Sequence, residues 1–133
     1  MGRHILLADD EAYVTSILAH KLRQLGDDVI VASDGQESFD LACKHRPQIV
    51  VSDFQMPVLS GYEMAVKLKQ NADTAAIPVL MLTGRGHLLS AEQLAMTNIR
   101  HLLEKPFSAK SLLAKITEVI GPPTADITGA ASA

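Results

Sequence analysis

The chain has 133 residues, 47% of them hydrophobic and 20% charged, which fits one ordinary globular domain and excludes global disorder. Its net charge of −3 argues against a nucleic-acid-coating surface, and its single cysteine, Cys43, excludes an intramolecular disulfide framework and fits a reducing compartment. No apolar run approaches the roughly 18 residues of a membrane span, and the run at 5–8 is too short for a signal peptide, so a cytoplasmic setting without a membrane partner is expected.

Short runs rich in Val, Ile and Leu, at 5–8, 29–32, 49–51, 77–82 and 102–103, read as strands buried on both faces. Amphipathic stretches separate them. Val14, Ile17, Leu18, Leu22 and Leu25 fall on one helical face, with Gly26 as a stop. A second helix starts near Asp34-Gly35, buries Phe39 and Ala42, and ends before Pro47. A third comes after Ser60-Gly61 and uses Met64, Ala65 and Leu68; a short fourth spans 90–96. The fifth takes Ser108 as N-cap, buries Leu112, Ile116 and Val119 or Ile120, and stops at Gly121-Pro122. Five such β–α units predict an α/β fold with a doubly wound parallel sheet. Residues 1–121 form the predicted domain; the small, polar residues 122–133 read as a flexible tail or truncated linker.

Open α/β sheets bind ligands at the carboxyl ends of their strands. There the sequence places Asp9-Asp10-Glu11 after the first strand, Ser52-Asp53 after the third, Thr83-Gly84 after the fourth and Glu104-Lys105-Pro106-Phe107 after the fifth. Three like charges in close quarters are costly without a cation. Mg²⁺, a hard ion that takes oxygen ligands, would offset the repulsion. Lys105 can pair with Asp53 or with a phosphoryl oxygen, and Thr83 can donate a hydrogen bond to the same oxygen. The set suits phosphoryl transfer to a carboxylate. Taken singly, each signal has a plainer reading: Asp9-Asp10-Glu11 as a helix cap, Asp53 and Thr83 as turn residues, Lys105 as a surface cation. Only their joint placement distinguishes a site from four commonplace residues.

Over residues 3 to about 120 the sequence resembles the receiver domain of two-component response regulators. The resemblance is carried by Ile5-Leu6-Leu7-Ala8-Asp9-Asp10-Glu11, Ser33-Asp34-Gly35, Ile49-Val50-Val51-Ser52-Asp53-Phe54-Gln55-Met56-Pro57, Ser60-Gly61-Tyr62-Glu63, Ile77-Pro78-Val79-Leu80-Met81-Leu82-Thr83 and Lys105-Pro106-Phe107. It implies a flavodoxin-like five-stranded sheet in the order 2-1-3-4-5. It implies that Asp53 accepts a phosphoryl group from the phosphohistidine of a sensor histidine kinase or phosphotransfer protein. By the same resemblance Asp10, Asp53 and the backbone carbonyl of Gln55 would ligate Mg²⁺ or Mn²⁺, with Asp9 acting through water. Thr83 and Lys105 would hold phosphoryl oxygens, Lys105-Pro106 would be cis, and Pro57 and Gly61 would shape the loop after the phosphoacceptor. Phosphorylation would then change affinity for a downstream protein partner, and the chain would be a monomer or weak dimer. It would not be an enzyme beyond its own phosphotransfer and autodephosphorylation, and would have no direct nucleic-acid contact.

The sequence departs from the family pattern in places. Leu102 stands where an aromatic switch residue is usual, so Thr83 is expected to turn toward the phosphoryl group while the output face responds less sharply. Thr97-Asn98-Ile99-Arg100-His101 replaces a Gly-Ala turn, which adds basic character there. Gln55 and Arg85 stand two residues after Asp53 and Thr83, positions that in the family it resembles border the path of hydrolytic water, so they are expected to tune phosphoryl lifetime. Three other readings stand beside the main one: a small phosphohydrolase with an Asp nucleophile, a flavodoxin-like cofactor binder, and the receiver part of a longer response regulator.

Overall fold

The computed structural model describes residues 2–84 and 89–123. Strands and helices alternate as β1 (His4–Ala8), α1 (Ala12–Gln24), β2 (Asp28–Ala32), α2 (Gly35–His45), β3 (Ile49–Asp53), α3 (Gly61–Gln70), β4 (Val79–Thr83), α4 (Ala91–Ala95), β5 (Ile99–Glu104) and α5 (Ala109–Ile120). The five strands are all parallel, in the order β2-β1-β3-β4-β5, as expected.

The period-two alternation of the inner strands divides the core between two faces. Ile5, Leu7, Ile49, Val51, Leu80 and Leu82 pack on Leu18, Ala19 and Leu22 of α1 and on Leu112 and Ile116 of α5. Leu6, Ala8, Val50, Val79 and Met81 pack on Ala42 of α2 and on Met64, Ala65 and Leu68 of α3. The inner strands β3 and β4 are buried at every residue.

The two edge strands correct the sequence reading. In β2 only Ala32 is buried, and β5 alternates between half-buried and exposed residues. An edge strand has a neighbour on one side only, so its apolar residues get less cover. β5 is also longer than the apolar pair at 102–103, and its register against β4 shifts between Val79 and Leu80. The register pairs Val79 with Ile99 but Leu80 with His101, so Arg100 is the extra residue of a bulge. Beyond it His101 and Leu103 face α5 with Leu80 and Leu82, while Leu102 faces the α3 side with Met81.

Local chemistry explains the helix ends. Asp34 caps α2 through the Glu37 N–H, and α2 closes at Arg46 in the left-handed conformation, just before Pro47. Ser60 with Glu63, Ser90 with Gln93 and Ser108 with Ser111 form capping boxes at α3, α4 and α5. α4 is one turn and a half and buries none of its residues. Phe39, expected in the core, is half-buried beneath the Lys67 ammonium, which lies 4.6 Å from its ring centre.

Candidate functional site

Within the described part, Asp9, Asp10, Asp53, Thr83 and Lys105 lie at the carboxyl edge of the sheet, with Gln55, Pro57, Gly61 and Pro106 just after them in the chain, whereas Leu102 lies inside β5, paired with Met81. The Asp9 N–H bonds the Ala32 carbonyl (3.1 Å), extending the β1–β2 ladder by one residue. Asp53 and Thr83 are the last residues of β3 and β4, and both are buried. The Lys105 N–H bonds the Thr83 carbonyl (2.7 Å), which carries β5 on to its lysine. The Lys105-Pro106 peptide is cis, as expected.

Carboxylate oxygens of Asp9, Asp10 and Asp53 lie within 4.8 Å of one another. The Lys105 ammonium sits 2.6 Å from Asp53 Oδ1. Burial pulls the Lys105 pKa down, but the hydrogen bond and charge of Asp53, with the charges of Asp9 and Glu11, outweigh it and hold the ammonium above its usual value. Asp9 is more exceptional. Its Oδ1 accepts the Glu11 N–H (2.9 Å) in the turn before α1, whose N-cap, Glu11, makes no side-chain capping bond. Its Oδ2 is buried with no hydrogen-bond partner. Burial pushes the Asp9 carboxyl up to about 6; the Asp53 charge adds to this, while the Glu11 N–H and Lys105 oppose it.

A buried oxygen without a donor calls for an explanation. Here it belongs to a cluster of carboxylates whose ligand atoms are all oxygen, so the residues fit a small, hard divalent cation. Such an ion would give the Asp9 oxygen a positive partner and relieve the repulsion among the three acids.

The loop after Asp53 is shaped by close contacts. A Cβ at Gly61 would collide with the Asp53 carbonyl oxygen, so α3 begins directly against the backbone of the site. The Gly61 N–H bonds the Phe54 carbonyl (2.8 Å), and buried Ser52 Oγ donates to the Asp53 carbonyl (2.9 Å). The Leu59 N–H bonds the Pro57 carbonyl (2.8 Å) across Val58, whose φ is 71°. This is a γ turn of the strained, positive-φ kind, made by a β-branched residue. Gln55 and Pro57 are exposed in the same loop. Arg85, the other residue expected to tune lifetime, lies outside the described residues.

Leu102 is 42% exposed on the α3 side of β5. Arg100 and His101, which add basic character in the sequence, do not form one patch. His101 turns to α5, where its Nε2 is 3.9 Å from Glu118, while Arg100 lines a shallow groove with Pro47, Ile77 and Ile120 at the opposite end of the strands.

One feature was misread in the sequence. Ile17, assigned there to the core face, is 40% exposed, and Tyr13 is 78% exposed. With Val14, Pro106 and Phe107 they line an open groove of about 920 Å³ that reaches Glu11 and Lys105. The width of the apolar arc was the signal for it: residues 13, 14, 17 and 18 cover more of α1 than one core stripe needs.

Comparisons with known proteins agree with this geometry. The family model "Response regulator receiver domain" matches residues 5–117. The chemotaxis response regulator CheY4 of Vibrio cholerae superposes with a TM-score of 0.81 at 28% identity, covering 90% of this chain and 99% of that one. The receiver domain of the sensor histidine kinase PA1611 of Pseudomonas aeruginosa, solved with a magnesium ion in its active-site cleft, gives 0.80 at 26% identity over 91% and 99%. The phosphate regulon transcriptional regulatory protein PhoB of Pseudomonas aeruginosa is 30% identical over 120 residues, 90% of this chain and 52% of that protein. The chain thus spans about half the length of the curated relatives it matches. An acidic cluster with its lysine at the carboxyl edge of a 2-1-3-4-5 sheet, matched along nearly all of the described chain, makes this protein a member of the response regulator receiver domain family of two-component signalling.

Proposed function

We propose that Asp53 is the phosphoacceptor of this receiver and that Lys105, Thr83 and the Asp9–Asp10 pair are its working parts. The observation that carries the reading is the Lys105–Asp53 contact of 2.6 Å beside three carboxylates within 4.8 Å. In the transfer, an Asp53 oxygen attacks phosphorus as the P–N bond of a donor phosphohistidine breaks, and the electron pair stays on the donor imidazole. Lys105 then exchanges its carboxylate partner for a phosphoryl oxygen, and Thr83, buried at the end of β4, is placed to donate to another. Asp10, Asp53 and the Gln55 carbonyl would hold Mg²⁺ or Mn²⁺, with Asp9 acting through water, and the ion would supply charge neutralisation. The same site is read as catalysing its own dephosphorylation, with Gln55 and Arg85 setting the rate. Thr83 responds to phosphorylation, and Leu102 makes the β5 response smaller than an aromatic side chain would.

The donor is read as a histidine kinase or phosphotransfer protein that docks an apolar helical face into the Tyr13–Ile17–Phe107 groove. That groove ends at Lys105, so a donor seated there has its reactive group beside Asp53. Residues 1–121 are read as the receiver and 122 onward as a tail or connection, in a cytoplasmic protein; DNA contact, if any, belongs to a further domain.

The test is incubation with acetyl phosphate and Mg²⁺. We expect one phosphoryl group per chain, none in Asp53→Asn or in excess chelator, and negligible turnover of added phosphate esters. Labelling that survives Asp53→Asn would overturn the assignment, and sustained ester turnover would favour a phosphohydrolase.

A further inference from the structure

The strongest polar constellation away from the site is at the opposite end of the molecule. Arg3, 4% exposed, holds Asp27 through two parallel bonds: Nε to Oδ1 (2.7 Å) and Nη2 to Oδ2 (2.8 Å). Its remaining nitrogen, Nη1, donates to Thr117 Oγ1 (3.1 Å) and to the Gly121 carbonyl (2.9 Å). One guanidinium thus joins the start of β1, the α1–β2 turn and the end of α5.

Backbone contacts fix the base of this clamp. The Asp28 N–H bonds the Arg3 carbonyl (2.8 Å), and the Asp27 N–H bonds the Leu22 carbonyl (3.2 Å). A Cβ at Gly2 would collide with the Gly26 carbonyl oxygen, so the two segments are packed backbone to backbone. α5 needs the clamp: its last turn contains no basic residue, so the cation that favours a helix C-terminus comes from Arg3, far away in sequence. Gly121, at φ 97°, then turns the chain away from the helix.

We propose that Arg3 is the positioning residue for the chain's exit from α5, a fixed mount that holds the direction in which the chain leaves Gly121 while the carboxyl edge of the sheet responds to phosphorylation. The contrast with α4 supports this. α4 comes after the strand that carries Thr83 and has no buried residue, whereas the α5 exit is held by a buried, bidentate ion pair. The phosphorylation half of the statement rests on the function proposed above; the clamp half does not.

Amide hydrogen exchange tests it on the full chain. Arg3→Met/Asp27→Leu removes both charges while keeping apolar bulk, so the fold need not bury a lone ion. Thr117→Val trims a single contact. We expect exchange at Ile120 and Gly121 to accelerate tenfold or more in the double variant, and by less in Thr117→Val. Amides of β1 and β3, and labelling by acetyl phosphate, should keep their wild-type rates. Unchanged exchange at both residues in a folded double variant overturns the clamp. In the wild type, beryllofluoride with Mg²⁺ should shift the resonances of Thr83 and α4 and leave 117–121 in place. Equal shifts at both ends overturn the fixed mount. An absence of any shift at Thr83 counts instead against the phosphoacceptor reading, and the exchange result still decides the clamp.

Discussion

The Lys105 ammonium lies 2.6 Å from Asp53 Oδ1, so without metal the proposed nucleophile is held by the cation expected to bind a phosphoryl oxygen after transfer. Metal and lysine therefore compete to neutralise the same carboxylates. Lys105→Ala should strengthen Mg²⁺ binding by about tenfold, ~1.4 kcal/mol, while lowering acetyl phosphate labelling by at least as much. Calorimetry against labelling rate separates the two effects; a fall in both would mean that the lysine organises the site rather than competing for it.

Asp9 gives the domain a pH dependence of unusual sign. Its carboxyl titrates at about 6 in the fold against an ordinary 3.8. Between those values the folded chain binds more protons than the unfolded one, so this group's stabilising contribution falls as pH rises from about 4 to about 6 and is level above. Asp9→Asn should flatten that part of the curve and leave the metal-free protein more stable than wild type near neutrality. Mg²⁺ should bind more weakly as pH falls through about 6. Urea unfolding in chelator at several pH values, with both chains, gives the answer.

The groove beside Lys105 separates protein donors from small ones. Ile17→Glu should slow transfer from a cognate kinase about tenfold or more, the scale of losing a buried apolar anchor at an interface. Acetyl phosphate needs no docking and should label the variant at the wild-type rate. Equal loss with both donors would place Ile17 in the structure of the site, not in recognition.

Val58 holds φ 71° with a β-branched side chain that is 74% exposed. Little burial is lost by replacing it, and Asn tolerates this conformation better. Val58→Asn should raise stability by about 1 kcal/mol, read as a higher denaturant midpoint at constant slope. No gain would mean that the turn carries no strain.

The parallel sheet and the gathering of Asp9, Asp10, Asp53, Thr83 and Lys105 were legible because they depend on apolar runs and on the residues just after each strand, which are local properties of sequence; the strand order was legible only through the family resemblance. The features that escaped depend on neighbours. Ile17 and Leu18 are alike in a helical pattern, and only the position of α5 decides that one is covered and the other left in a groove. Val29–Val31 reads as a buried strand until the sheet is seen to end there. Arg3 and Asp27 carry no local signal at all: a basic residue before a strand and an acid in a turn are commonplace until the fold brings them within 2.7 Å. The bulge at Arg100 is likewise invisible, since apolar residues at 99 and 103 suggest one shared face, and the structure puts them on opposite ones.

The contact between Gly61 and the Asp53 carbonyl offers a control that charge-changing variants cannot. Those variants at Asp53 or Lys105 alter the electrostatics of the site along with its chemistry. One added methyl group at position 61 would instead wedge α3 away from the nucleophile's strand with every formal charge still present. A chain silenced in that way would report which partners recognise the receiver's charge pattern and which require its geometry.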